Sequence, residues 1–364
     1  MGSDALSEAG RPADRAAVPA REPPPGVRGA HLVGSMPLAD SAAVFKFAEQ
    51  HLGSHLKRIP DGETGARINW TQWQHDVFAA VPTLTSEIFD AGYLKRPKFR
   101  LKPGAQAEDV RFPPLGYAKA AKASYQVFRS LKKAGTIRQN VRFQVCLPTP
   151  IAPIVIFVFP DDQLKLEPRY EAAMLAELEE IVAAVPAAEL AVQWDTAIEF
   201  AILEGVLPHA LSNPEAEIIL RLVRLGNHVP EPVELGFHLC YGDSGGRHFK
   251  EPGDTSKLVS VANGISPGLT RSLDWLHLPV PKERTDPAYY RALGELRLQP
   301  ETELYLGLVH ASDGVEGARR RIGSAAGYVS RFGVATECGC GRQKTELLAG
   351  LMRIHAEIGR PVHA

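Results

Sequence analysis

What most restricts the fold of this chain is an alternation. Short apolar runs and amphipathic helical patterns succeed one another along most of its 364 residues. The apolar runs fall at 29–37 (GAHLVGSMP), Leu56–Ile59, Val141–Leu147, Leu190–Asp195, Glu234–Cys240, Leu273–Leu278, Glu303–Val309 and Phe332–Thr336. Helical spacing follows the first run, where Asp40 is a cap and Val44, Phe45, Phe47, Ala48 and Leu52 recur on one face. Further helical patterns fall at Tyr117–Lys133, Pro168–Val185, 197–204, 214–226, Thr255–Asn263, Pro287–Leu296, Val315–Ser330 and Lys344–Ile358. Strands separated by helices pair in parallel, and runs this apolar suit strands buried on both faces. Eight such units predict a (β/α)₈ barrel, an α/β fold. A doubly wound open sheet is the alternative, and the absence of G-x-G-x-x-G after the first strand counts against it.

The alternation breaks twice. Residues 70–114 carry aromatic, Pro and Lys/Arg residues with weak periodicity and read as an irregular insertion after the second strand, sitting over the barrel. Residues 1–27 are rich in Ala, Pro and charge, have no apolar core of a secretory signal, and read as a disordered tail before a single barrel domain at 28–364. With 41 basic and 42 acidic residues there is no global field to recruit nucleic acid or an anionic membrane, and no apolar run approaches a bilayer span. Four cysteines, two of them in one C-G-C, make a poor disulfide framework, and a cytoplasmic, reducing compartment is expected.

A parallel barrel gathers its chemistry at the C-terminal ends of its strands. The polar residues at those ends are Ser35, Glu63, Asp195, His238, Cys240, His277, His310 and Cys338. His238 and Cys240 stand at i, i+2 on one strand and therefore point to the same side. With a thiol from ATECGCGR they form a three-ligand set of the kind zinc takes when a position stays open for substrate. Either Cys338 or Cys340 could supply that thiol. Cys146 reads as core. GDSGG (242–246) matches the nucleophile loop of chymotrypsin-like proteases, but the flanks are helical and no partner segments exist, so a glycine loop over the barrel mouth explains it better than a serine hydrolase. Arg319, Arg320 and Arg321 read as a solvated helix face.

Several short motifs, in order along the chain, resemble the zinc-containing catalytic barrel of cobalamin-independent methionine synthase. VGSMP is similar to that family's I-G-S-F-P, PDGET to its H-G-E, VQWDTAIE to its Q-I-D-E-P-A, FHLCYGD to its H-x-C-Y, and TECGCGR to its D-C-G-x-x-x-R. The resemblance implies His238, Cys240 and Cys338 as zinc ligands, selecting Cys338 over Cys340, and Ser35, Glu63 and Asp195 as substrate-binding residues. It places His310 where the family has a functional Asp, as a catalytic candidate. It departs at the family's ligating glutamate, where this chain has Pro279 with His277 two residues away. The long N-terminal domain of the full-length synthase has no counterpart. The implied activity is alkyl, usually methyl, transfer to or from a small-molecule thiol held as a zinc-bound thiolate, with an alkyl donor as second substrate. A metal-independent decarboxylase or lyase on the same barrel is the alternative. Homo-oligomerisation stays open.

Overall fold

The structure is a computed structural model that describes residues 24, 26–90, 92, 95–243 and 247–363. The first 23 residues of the expected tail and residues 244–246 of the glycine loop lie outside the described residues. Among the described residues, ten strands occur in chain order. They are β1 Val27–His31, β2 Arg58–Pro60, β3 Leu84–Asp90, β4 Lys95–Leu101, β5 Arg142–Pro148, β6 Leu190–Thr196, β7 Glu234–Leu239, β8 Trp275–Pro279, β9 Glu303–Val309 and β10 Phe332–Thr336. Eight of them pair in parallel in the order β1-β10-β9-β8-β7-β6-β5-β2, the neighbour order of a (β/α)₈ barrel. The β1–β2 seam carries no ladder among the described residues. β2 is three residues long and ends in Pro60, which has no N–H to give. Just beyond the strand ends, Met36 N–H donates to Gly62 O at 2.8 Å and bridges the seam.

Large and absent side chains alternate inside the barrel. A Cβ on Gly236 would fall 1.9 Å from the Trp275 ring, and one on Gly333 would fall 2.3 Å from Tyr305, so each ring fills the space its neighbour strand leaves. The N-terminal end is closed by Arg58. It lies over the Trp275 ring at 4.1 Å and donates to Glu234 at 2.9 Å and Glu303 at 3.1 Å. A buried guanidinium with two carboxylates is a structural plug, remote from the mouth.

The helices are α1 Ser41–Leu52, α2 His75–Ala79, α3 Tyr117–Lys133, α4 Ile151–Phe157, α5 Pro160–Ala184, α6 Ile198–Leu203, α7 Pro214–Asn227, α8 Ser256–Ile265, α9 Pro287–Tyr290, α10 Gly314–Ala325 and α11 Leu348–Ile358. Asp40 caps α1, its carboxylate accepting from Ala43 N at 2.8 Å. Three local expectations need correction. The insertion is not irregular, because β3 and β4 form an antiparallel hairpin within it. Its weak periodicity reflects a ribbon exposed along much of its length. The helix expected to start at Pro168 starts at Pro160, with Pro168 inside it. The lost backbone bond is outweighed by the buried stripe Leu166, Tyr170, Met174, Leu178 and Ile181. Arg321 is not on a solvated face. It is fully buried, donating to Asp313 at 2.7 and 2.9 Å and to Leu308 O at 3.0 Å, because the helical turn carries the third arginine inward. Among the described residues no helix is long and apolar enough to cross a membrane.

Candidate active site

The cavity at the C-terminal end of the barrel has a volume of about 480 Å³. Its wall includes Ser35, Glu63, Asp195, His238, Cys240 and Cys338, so parallel pairing brings together six of the seven residues expected to form the site. In register, Asp195 pairs with His238, and His238 with His277. That row sets the depth at which the polar groups of β6, β7 and β8 meet.

His238, Cys240 and Cys338 each offer a ligand atom, and these atoms lie within 4.8 Å of one another. The two sulfurs are 3.7 Å apart. The tautomer of His238 follows from its partners. Thr336 O can only accept, so His277 donates its Nε2–H to it at 3.1 Å. The Nδ1 of neutral His277 then carries a lone pair, and His238 donates Nδ1–H to it at 2.6 Å. What remains is His238 Nε2, a bare lone pair that is buried and has no partner. Burial, followed by the neighbouring His277, pushes the pKa of His238 well below its ordinary value and keeps the ring neutral. A neutral imidazole nitrogen beside two thiols is a borderline-soft donor set, and the residues fit a zinc ion. The Cys240 thiol is driven up by its hydrogen bond to Cys338 and by burial, the behaviour of a thiol pair with no positive charge beside it. Cys340 is outside this set. It is 4 % exposed, 3.9 Å from Thr336 Oγ1, and burial pushes it up to about 12.

The carboxylates occupy the neighbouring strand ends. Glu63 sits in the PDGETG turn at φ 47°, a left-handed conformation that costs a non-glycine residue about 1–3 kcal/mol. Asp61 holds the turn. It accepts from Glu63 N at 2.9 Å and Ser124 Oγ at 2.8 Å, and pairs with Arg67 at 2.7 Å. A Cβ at position 34 would lie 2.9 Å from Glu63 Oε2, so Gly34 makes room for that carboxylate. Burial raises Glu63 to about 7, against the pull of Arg67. Burial and the nearby Glu63 raise Asp195 well above its ordinary value, although Gln193 donates to it at 2.8 Å. Two buried carboxylates that each prefer a proton form a site for a cationic group. Ser35 accepts from Gly341 N at 3.3 Å, and a Cβ on Gly339 would lie 2.4 Å from its Oγ, so the glycines of C-G-C-G let the first and last loops touch.

His310 is not brought into this cavity. It donates Nε2–H to Val280 O at 2.9 Å and has Nδ1 3.9 Å from Glu337. It faces an adjoining hollow of about 520 Å³ that shares Asp243, Cys338 and Gly339 with the first. There Glu337 is 2.9 Å from His248, and the Glu337 and Glu251 carboxylates overcome burial and raise that imidazole to about 9. His277, two residues before the proline, is not part of the His238–Cys240–Cys338 cluster and hydrogen-bonds His238 Nδ1. Cys146 is 7 % exposed and donates Sγ–H to Val33 O at 3.3 Å, a core thiol. Sequence reasoning missed Arg96, which reaches the cavity wall from β4. The one available signal was the i, i+2 spacing of Arg96, Lys98 and Arg100 in KRPKFRL, unreadable without knowing that the insertion holds a strand.

Fold and site together define a parallel (β/α)₈ barrel with an imidazole–dithiol cluster and two carboxylates at its mouth. Solved structures of the same architecture include a vitamin-B12-independent methionine synthase from Listeria monocytogenes, with TM-score 0.54, 16 % identity, and 87 % of this chain and 85 % of that chain covered. A B12-independent methionine synthase from Shewanella sp. W3-18-1, solved in complex with selenomethionine, matches with TM-score 0.52 at 14 % identity, covering 87 % of this chain and 86 % of that one. At these identities the likeness is one of fold. No protein-family model matches the chain, and no curated protein matches it in sequence.

Proposed function

We propose that the cavity holds a zinc ion on His238 Nε2, Cys240 Sγ and Cys338 Sγ, and that the protein transfers an alkyl group, most simply a methyl group, to or from the sulfur of a small thiol. The observation that carries this reading is the buried, unpartnered His238 Nε2 beside two thiols on the wall of a cavity. The methionine synthases that share the fold support methyl transfer as the reaction class. When bound, zinc supplies a Lewis acid that brings the pKa of a thiol from about 8.5 toward neutrality.

The chain's own residues do the rest. His277 holds His238 in the tautomer that leaves Nε2 free. Glu63 and Asp195 take the ammonium group of the substrate and fix its orientation. Ile156, Ile198, Leu207 and Phe249 line the apolar part of the wall and exclude water from the sulfur. His310 stays outside this contact set.

Protein purified without added metal should contain about one zinc per chain by elemental analysis, and free thiol should disappear when an amino-thiol is incubated with a methyl donor. Stoichiometric protein with no bound zinc, and no metal uptake on dialysis against zinc, would reject the proposal. Zinc without any thiol consumption would reduce it to a metal-binding protein.

A further inference from the structure

Two cationic side chains, Arg96 and Arg342, line the cavity. Arg342 is 3.3 Å from Asp243. Arg96 has no carboxylate, hydrogen-bond acceptor or ring as a partner among the described residues, and its Nε is buried and unsatisfied. Burial alone lowers its pKa, with no anion opposing the effect. A half-buried guanidinium left in this state is costly, and arginines so placed are ordinarily paired.

Anchoring the hairpin does not explain it. That role falls to the next inward residue on β4, Lys98, which is 1 % exposed. It donates to Val155 O at 2.7 Å and Val158 O at 3.1 Å at the carbonyl end of α4. The strand is further fixed by Phe159 N–H donating to Phe99 O at 3.0 Å and by Leu101 N–H donating to Asp162 at 3.1 Å. Arg96 therefore sits on a held strand, with five donors in a planar fork and nothing to receive them. Lys98 points away from the cavity into the α4 carbonyls, so Arg96 is the cation that β4 presents to the wall. Glu63 and Asp195 line the same cavity from the ends of other strands.

We propose that Arg96 binds the acidic end of the substrate, so that the thiol handled here is a small thiol acid whose carboxylate, or an equivalent planar oxyanion, docks on the guanidinium while its sulfur faces the His238–Cys240–Cys338 cluster. The inference rests on the thiol reading of the cavity and adds to it the specificity determinant carried by the insertion hairpin. The pairing is a charge-assisted, bidentate one, so it discriminates strongly against a neutral isostere.

The test is calorimetric titration of the zinc-loaded protein with 3-mercaptopropionate, with its neutral counterpart 3-mercaptopropan-1-ol, and with propionate, which has no sulfur. Wild-type protein should bind the acid at least tenfold more tightly than the alcohol. Arg96→Ala should bring that ratio to about one while leaving the affinity for the alcohol within threefold, and Arg96→Lys should restore part of it. Unchanged melting temperature and zinc content in both variants show that the hairpin and metal site remain intact. If Arg96→Ala keeps the tenfold preference, the assignment of Arg96 is wrong whatever the metal does. If neither thiol binds wild-type protein more tightly than propionate does, the thiol reading fails, and a propionate affinity lost in Arg96→Ala but kept in Arg96→Lys still upholds the anion site.

Discussion

Replacing His277 by Ala tests the tautomer argument at its most exposed point. The imidazole is fully buried and joins two groups, accepting from His238 Nδ1–H at 2.6 Å and donating to Thr336 O at 3.1 Å. Alanine leaves both without a partner, at about 1–3 kcal/mol each, and opens a cavity, so stability should fall by about 3–5 kcal/mol. The proposed metal site loses no ligand. It loses the group that fixes the ring of His238, an effect of about 10–100-fold on metal affinity. His277→Gln can accept from His238 and donate to Thr336 with one amide, and should recover most of the affinity. The assay is zinc competition against a chromogenic chelator at pH 7.5, alongside denaturant unfolding. His238→Ala sets the scale for a lost ligand. If His277→Ala loses zinc as completely as His238→Ala does, His277 is itself a ligand and the proton assignment along Thr336–His277–His238 is wrong.

Cys338→Ser should lose most of the zinc, whereas Cys340→Ser and Cys146→Ser should keep about one ion per chain. Elemental analysis decides this, and the reverse pattern would move the ligand by two residues. Glu63→Gln should remove a pH dependence of stability. With the folded pKa raised from 4.5 to about 7, Glu63 contributes stability that is full below 4.5 and lost as pH rises through 7. At 1.36 kcal/mol per unit that is about 3 kcal/mol, so metal-free wild type should weaken relative to Glu63→Gln by roughly this amount between pH 4.5 and pH 8, and an identical slope in both would refute it. His310→Ala should retain its zinc and bind 3-mercaptopropionate within threefold of wild type; a collapse of thiol affinity would place that ring in contact with substrate after all.

The barrel was legible because periodicity is written along the chain. Eight apolar runs with helical spacing between them set the parallel architecture, and H-x-C on one strand fixes two side chains to one face regardless of what surrounds them. The meeting of Cys338 with His238 was also within reach, since strand ends of a barrel converge. The hairpin inside residues 70–114 was not, because an antiparallel ribbon that buries only part of one face leaves little alternation to read. Arg321 beside Arg320 shows the same limit: three identical letters, of which helical rotation buries one against Asp313.

His277 and Arg96 mark the boundary most sharply. From the letters alone, a histidine two residues before Pro279 could ligate the metal or support another ligand, and an arginine in a Lys/Arg-rich stretch is one surface charge among many. The pairing of His238 with His277 across β7 and β8 turned the first into the hydrogen-bond partner that orients His238. The docking of β4 along α4 put the second on the cavity wall with no counter-ion. Chain spacing determines which way a side chain points within its own element; what it faces depends on register and packing between elements far apart in sequence.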